Sequence, residues 1–247
     1  MAITFANKIQ TMKKIFLCFF FSAFTLLTFS QQTDQPAENA WESIYRGSSP
    51  KINDLVHTKL AVNFDFDKQW MNGQEWVTLQ PHFYPTDSLT LDAKGMEIKK
   101  IALLKGKSEI PLKFSYDSMQ LRITLDKIYN RNEKYTIYIS YISKPNELKL
   151  EGSSAITEAK GLYFINPKGE TDVHTEIWTQ GETESNSTWF PTIDKPNQKT
   201  TQEIYMTVPA KYVTLSNGLL INQKKNADGT RTDYWKMDLP NSPYLFF

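Results

Sequence analysis

The sequence predicts an all-β protein, an antiparallel multi-sheet sandwich, and three observations carry that expectation. Apolar residues recur at every second position in short runs, turn-forming residues separate the runs, and no segment of comparable length shows helical periodicity with caps. At 247 residues, with 40% hydrophobic and 13% aromatic content, the chain can bury a substantial core. Its 22% charged fraction is that of an ordinary globular protein.

The N-terminus reads differently. Lys13 and Lys14 precede an apolar run from Ile15 to Phe29, and the polar stretch "QQTDQPAEN" follows. This is the layout of a secretory signal peptide over residues 1–30. The run has 15 residues, fewer than the roughly 18 to 20 a spanning helix needs, so cleavage near Ser30 and no membrane span afterwards are expected. Met12 stands directly before the two lysines as an alternative start to Met1. Loss of residues 1–30 removes three lysines, no acid and the single cysteine, Cys18, taking the formal charge from +1 to −2. Such a balance argues against a nucleic-acid partner. An exported, periplasmic or secreted protein without cysteine has to be held together by core burial alone.

Residues 31–49 are polar without periodicity and read as a flexible segment. From residue 50 the alternation begins. Val56, Thr58, Leu60, Val62, Phe64 and Phe66 share one face of a first strand, with His57, Lys59, Asn63 and Asp65 on the other. A second run spans Trp76 to Phe83, and Asn72-Gly73 supplies turn residues between the two. Further runs follow at Ile110/Leu112/Phe114, Leu121/Ile123/Leu125, Tyr135/Ile137/Ile139/Tyr141, Leu162/Phe164, Ile204/Met206/Val208 and Tyr234 to Met237. Pro145 to Thr157 reads as an excursion, and Asp228-Gly229 as a hairpin turn. The chain ends on "NSPYLFF", which reads as a domain truncated at its C-terminal end.

Several chemistries lack their residues. His57, His82 and His174 form no H-E-x-x-H pair, and no nucleophile elbow, phosphate loop or dinucleotide fingerprint occurs. No catalytic residue and no metal ligand is therefore expected, and no cofactor in this chain. What stands out is "TQGETESNSTWFPTID", Thr179 to Asp194: polar or Gly residues from Thr179 to Thr188, pinned between Trp178 and the trio Trp189, Phe190, Pro191. Bulky anchors at both ends suit a loop held so that its polar atoms point at a ligand. By spacing alone, Glu176 just before the stretch and Glu182 and Glu184 within it read as a solvated acidic loop, and Asp194 as a turn cap.

Gln180-Gly181-Glu182 followed by "WFPTIDKP" resembles the Q-x-E … F-P-x-x-D-x-P block of the aminopeptidase N family of zinc metallopeptidases. "HTKLAVNFD", "LTLDAKGMEI", "GLYFI" and "VPAKYVTLSNG" resemble the flanking family segments in order, so the likeness covers about residues 50–247. Ser187, Thr188 and Thr192 stand where many members carry two arginines and a cysteine. The resemblance implies the saddle-like N-terminal β domain of these enzymes. It places zinc, with the H-E-x-x-H helix, only in a C-terminal catalytic domain that would follow, so this chain alone is expected to be inactive. It assigns Gln180 and Glu182 to binding the free α-amino group of a peptide substrate together with that catalytic domain. A non-enzymatic β-sandwich binding module of the cell envelope is the alternative.

Overall fold

The first alternating run forms the longest strand, β1 (Asn53–Asp65), in a computed structural model that describes residues 47–149 and 158–246. The expected signal peptide, most of the 31–49 segment, and residues 150–157 of the expected excursion lie outside the described residues. Strands β2 (Trp70–Pro81), β3 (Thr86–Asp92), β4 (Met96–Lys105), β5 (Ser108–Pro111), β6 (Lys113–Tyr116), β7 (Gln120–Tyr129) and β8 (Tyr135–Ser143) follow, then β9 (Leu162–Ile165), β10 (Glu176–Thr179), β11 (Thr200–Pro209), β12 (Leu219–Lys225) and β13 (Thr230–Asn241). Among the described residues there is no α-helix, only two short 3-10 turns, Asn186–Thr188 and Pro243–Leu245.

Eight strands form one large sheet in the order β12-β13-β11-β1-β2-β8-β4-β5, three form a second in the order β3-β7-β6, and β9 pairs with β10. All pairings are antiparallel except β1 with β11. The core lies where the period-two faces of the two larger sheets meet. Leu60, Val77, Leu79, Ile137 and Ile139 from the large sheet join Leu89, Leu91, Leu121 and Ile123 from the small one, each almost fully buried. Each contributes roughly 1.5–3 kcal/mol by leaving water.

The other face of the large sheet carries a row of amphipathic side chains. Tyr234 stacks on Tyr205, the Lys59 ammonium sits over both Tyr205 and Trp76, and Trp76 leans on Tyr138. Cross-strand pairs of this kind, each worth a fraction of a kcal/mol or more, hold strands in register.

Three details differ from the sequence reading. The turn between β1 and β2 is residues 66–69, with Gln69 at φ 56, and Asn72-Gly73 lies inside β2. Gly73 is needed there because the Tyr141 ring crosses it, and an added Cβ would lie 2.2 Å from Tyr141 Cζ. A bulge between Leu55 and His57 moves Val56 out of the buried series, so Leu55 faces the core in its place while Thr58 stays buried as expected. The Ile110/Leu112/Phe114 run is divided between β5 in the large sheet and β6 in the small one, which leaves Phe114 exposed. Two of the histidines have partners on neighbouring strands: His82 Nδ1 lies 2.8 Å from Asp54 Oδ2, and His57 Nδ1 lies 2.7 Å from the Thr201 hydroxyl.

Candidate functional site

The polar stretch begins at the end of β10, whose Trp178 pairs with Tyr163 of β9 and stacks on its ring at 4.6 Å. Trp178 is still 43% exposed, so it steadies the short hairpin and does not act as a buried anchor. The buried anchors are Trp189 and Phe190, which lie edge to face and both contact the Phe246 ring.

Between the anchors the backbone is bonded at nearly every turn. Gln180 N donates to Gly161 O at 2.8 Å and Ser185 N to Gly181 O at 2.9 Å. Gly161, at φ +66, has the Ser185 carbonyl 2.0 Å from where a Cβ would sit, so only glycine lets the loop lie on it. Residues Ser185 to Phe190 are all buried, an unusual state for a polar tetrad, Ser185-Asn186-Ser187-Thr188. Each polar side chain there has a partner, as burial requires. The Thr188 hydroxyl donates to Ser185 O at 2.7 Å, and Asn186 and Trp189 are joined side chain to side chain at 2.8 Å.

A second set of contacts fixes the loop from the β3–β4 side. Asp92 and Thr192 exchange backbone hydrogen bonds at 2.7 and 3.0 Å, and Lys94 N donates to Ser187 O at 2.7 Å. The Lys94 ammonium donates to the Glu184 carbonyl, while the Glu184 carboxylate pairs with Lys195. Glu184 is thus a structural ion-pair member and not merely solvated surface. Asp194 departs further from the expected turn cap. It is 1% exposed and its Oδ2 accepts the Ser187 N–H at 2.8 Å. Burial pushes its carboxyl up to about 6, against the lowering effect of that hydrogen bond.

Gln180 and Glu182 stand apart from this bonding. Gln180 is half-buried and Glu182 exposed, on either side of Gly181. Among the described residues neither the Gln180 carboxamide nor the Glu182 carboxylate has a hydrogen bond or ion pair; only their backbone is engaged. The Glu182–Thr183 peptide bond is cis. Gly181 packs against the segment Pro243–Leu245, the Tyr244 carbonyl lying 2.2 Å from where a Cβ would be. The backbone between Gln180 and Glu182 therefore lies against residues 243–245.

An apolar cleft of about 400 Å³ lies behind β10, lined by Phe64, Phe66, Ile177, Trp178, Met206 and Tyr212. Neither Gln180 nor Glu182 lines it. Among the described residues no group of three His, Cys, Asp or Glu is placed to hold a metal ion.

Sequence reasoning singled out the loop with Gln180 and Glu182 but missed Asn186, Asp92, Lys94 and Gly161 as residues that hold it. Long-range polar contacts of this type leave no periodic trace. The only local signal was the run of small polar residues directly before two large aromatics.

A family model for the peptidase M1 N-terminal domain matches residues 53–245. Among curated proteins, leukotriene A-4 hydrolase of Xenopus laevis is 22% identical over 80% of this chain and 31% of its own length. An M1 zinc metallopeptidase from Deinococcus radiodurans superposes with a TM-score of 0.66 at 17% identity, covering 82% of this chain and 43% of that one. Legionella pneumophila aminopeptidase A, solved in complex with aspartic acid, gives a TM-score of 0.60 at 18% identity, over 80% of this chain and 21% of that one. The chain thus spans a third or less of the curated relative and under half of these solved chains.

Proposed function

The chain belongs to the peptidase M1 N-terminal domain family, and from that premise we propose that it is the substrate-recognising, non-catalytic β domain of an exported zinc aminopeptidase. Gln180 and Glu182 bind the free α-amino group of a peptide, and zinc and hydrolytic chemistry come from a catalytic domain acting with it.

The observation that carries this reading is the contrast along one loop: a backbone bonded on both sides, presenting a carboxamide and a carboxylate that have no hydrogen bond or ion pair among the described residues. An ammonium offers three N–H donors and a positive charge, and a fixed carboxylate with an amide oxygen beside it satisfies both. Out of water, such a contact contributes roughly 1.5–3 kcal/mol. Because the loop is held in advance, little of that is lost to ordering. Restricting cleavage to the first residue of a peptide requires such a fixed negative site at one end of a short pocket.

Export rests on Lys13-Lys14 and the apolar run to Phe29. It places the protein in the periplasm or outside the cell, and N-terminal sequencing of the mature protein tests it, with a start near Gln31 expected. The functional reading is tested with the full-length gene product on aminoacyl anilides. Chelator-sensitive release of the N-terminal residue supports it, and activity only on internal bonds would overturn it.

A further inference from the structure

Asn186 is fully buried, so all polar functions of its carboxamide must find partners inside the protein. They do. Its Nδ2 donates to Pro243 O at 2.6 Å and to Phe246 O at 3.0 Å, and its Oδ1 accepts from Trp189 Nε1 at 2.8 Å. Its backbone carbonyl accepts from the Trp189 and Phe190 amides at 3.0 and 3.1 Å. Two of the three side-chain bonds therefore cross to a segment 57 and 60 residues further along the chain. Among the described residues they are the only side-chain hydrogen bonds between the polar loop and residues 243–246.

The same segment sets the height of the free side chains. A Cβ on Gly181, between Gln180 and Glu182, would meet Tyr244 O at 2.2 Å and Asn186 Nδ2 at 2.6 Å. Gly181 thus packs against two supports: the Tyr244 carbonyl, and the Asn186 amide that donates to the carbonyls of Pro243 and Phe246. Phe246 closes the arrangement by packing on Trp189 and Phe190.

We propose that Asn186 is the positioning residue of the recognition loop, clamping it to Pro243–Phe246 so that Gln180 and Glu182 meet a peptide's amino terminus at a fixed position. This rests on the amino-group reading of those two residues. Asn186 does not touch substrate; it acts through the backbone that carries them. Losing the clamp costs recognition of the charged terminus and leaves bond breaking intact.

The test uses the full-length protein with Asn186→Asp, which keeps the volume and the acceptor for Trp189 but removes both donors. The expected result is a KM for free-amino peptides raised roughly tenfold with kcat within about threefold, an unchanged KM for N-acetylated peptides, and at least about tenfold faster amide exchange over residues 180–185 with core strands β2 and β8 still protected. Unchanged exchange in the loop, or equal losses on both peptide classes, would overturn the role of Asn186. Should Asn186→Asp not fold, Gly181→Ala displaces the loop from the same support while leaving both Asn186 donors present, and the same KM signature is expected; its absence overturns the proposal. Glu182→Ala run alongside separates the two failures. No effect of Glu182→Ala on KM rejects the amino-group reading, whereas an effect there with none from Asn186→Asp rejects the clamp.

Discussion

The Asp194 carboxylate accepts the Ser187 amide hydrogen at 2.8 Å, joining the last turn of the polar loop to the segment beyond the buried pair Trp189 and Phe190. Its own amide donates to Asp92 Oδ2 at 3.0 Å, so one residue ties the loop to itself and to the end of β3.

Burial raises the Asp194 carboxyl from 3.8 to about 6. Between those values the unfolded chain is ionised while the folded one is still protonated, so folding stability falls as pH rises from about 4 to 6 and stays lowered above. Asp194→Asn keeps an acceptor for Ser187 without the charge. Denaturant titrations are expected to show the two proteins equal near pH 4 and the Asn variant more stable by about 2 kcal/mol at pH 7.5.

Glu75 lies on the core face of β2, fully buried, and among the described residues neither its carboxylate oxygens nor the Tyr141 hydroxyl has a hydrogen-bond partner. Burial holds its carboxyl well above the usual carboxylate range by disfavouring the charged form. The sign is again a loss of stability as pH rises above the unfolded value near 4.5. Glu75→Gln is expected to flatten that slope between pH 5 and 8, measured by unfolding midpoints across that range.

Gly73→Ala places a methyl group 2.2 Å from Tyr141 Cζ in the middle of the large sheet. The ring is almost wholly buried and cannot swing aside, so a loss of about 2 kcal/mol or more is expected in denaturant unfolding.

How much of this was legible in the sequence depends on the range of the interaction concerned. Alternation placed Leu60, Val62, Ile137 and Ile139 in the core correctly because side-chain period is a local property. It missed β12 (Leu219–Lys225), whose residues are exposed on both faces at the sheet edge and so show no contrast. Asn72-Gly73 misled because a glycine required by a ring crossing it looks identical, in sequence, to one required by a turn. Gln180 and Glu182 stood out through the family resemblance and the aromatic anchors beside them. Asn186 and Asp194 took their roles from partners 57 and 102 residues away, which no local pattern announces.

The central claim is that a braced loop offers Gln180 and Glu182 to a peptide's charged amino terminus. Its most direct measurement is the ratio of kcat/KM for a free-amino peptide to that for its N-acetylated counterpart, compared between the full-length protein and its Glu182→Ala variant. Loss of a charged contact worth roughly 1.5–3 kcal/mol predicts a ratio lowered about 10- to 150-fold, through the free-amino peptide alone. An unchanged ratio would contradict the account.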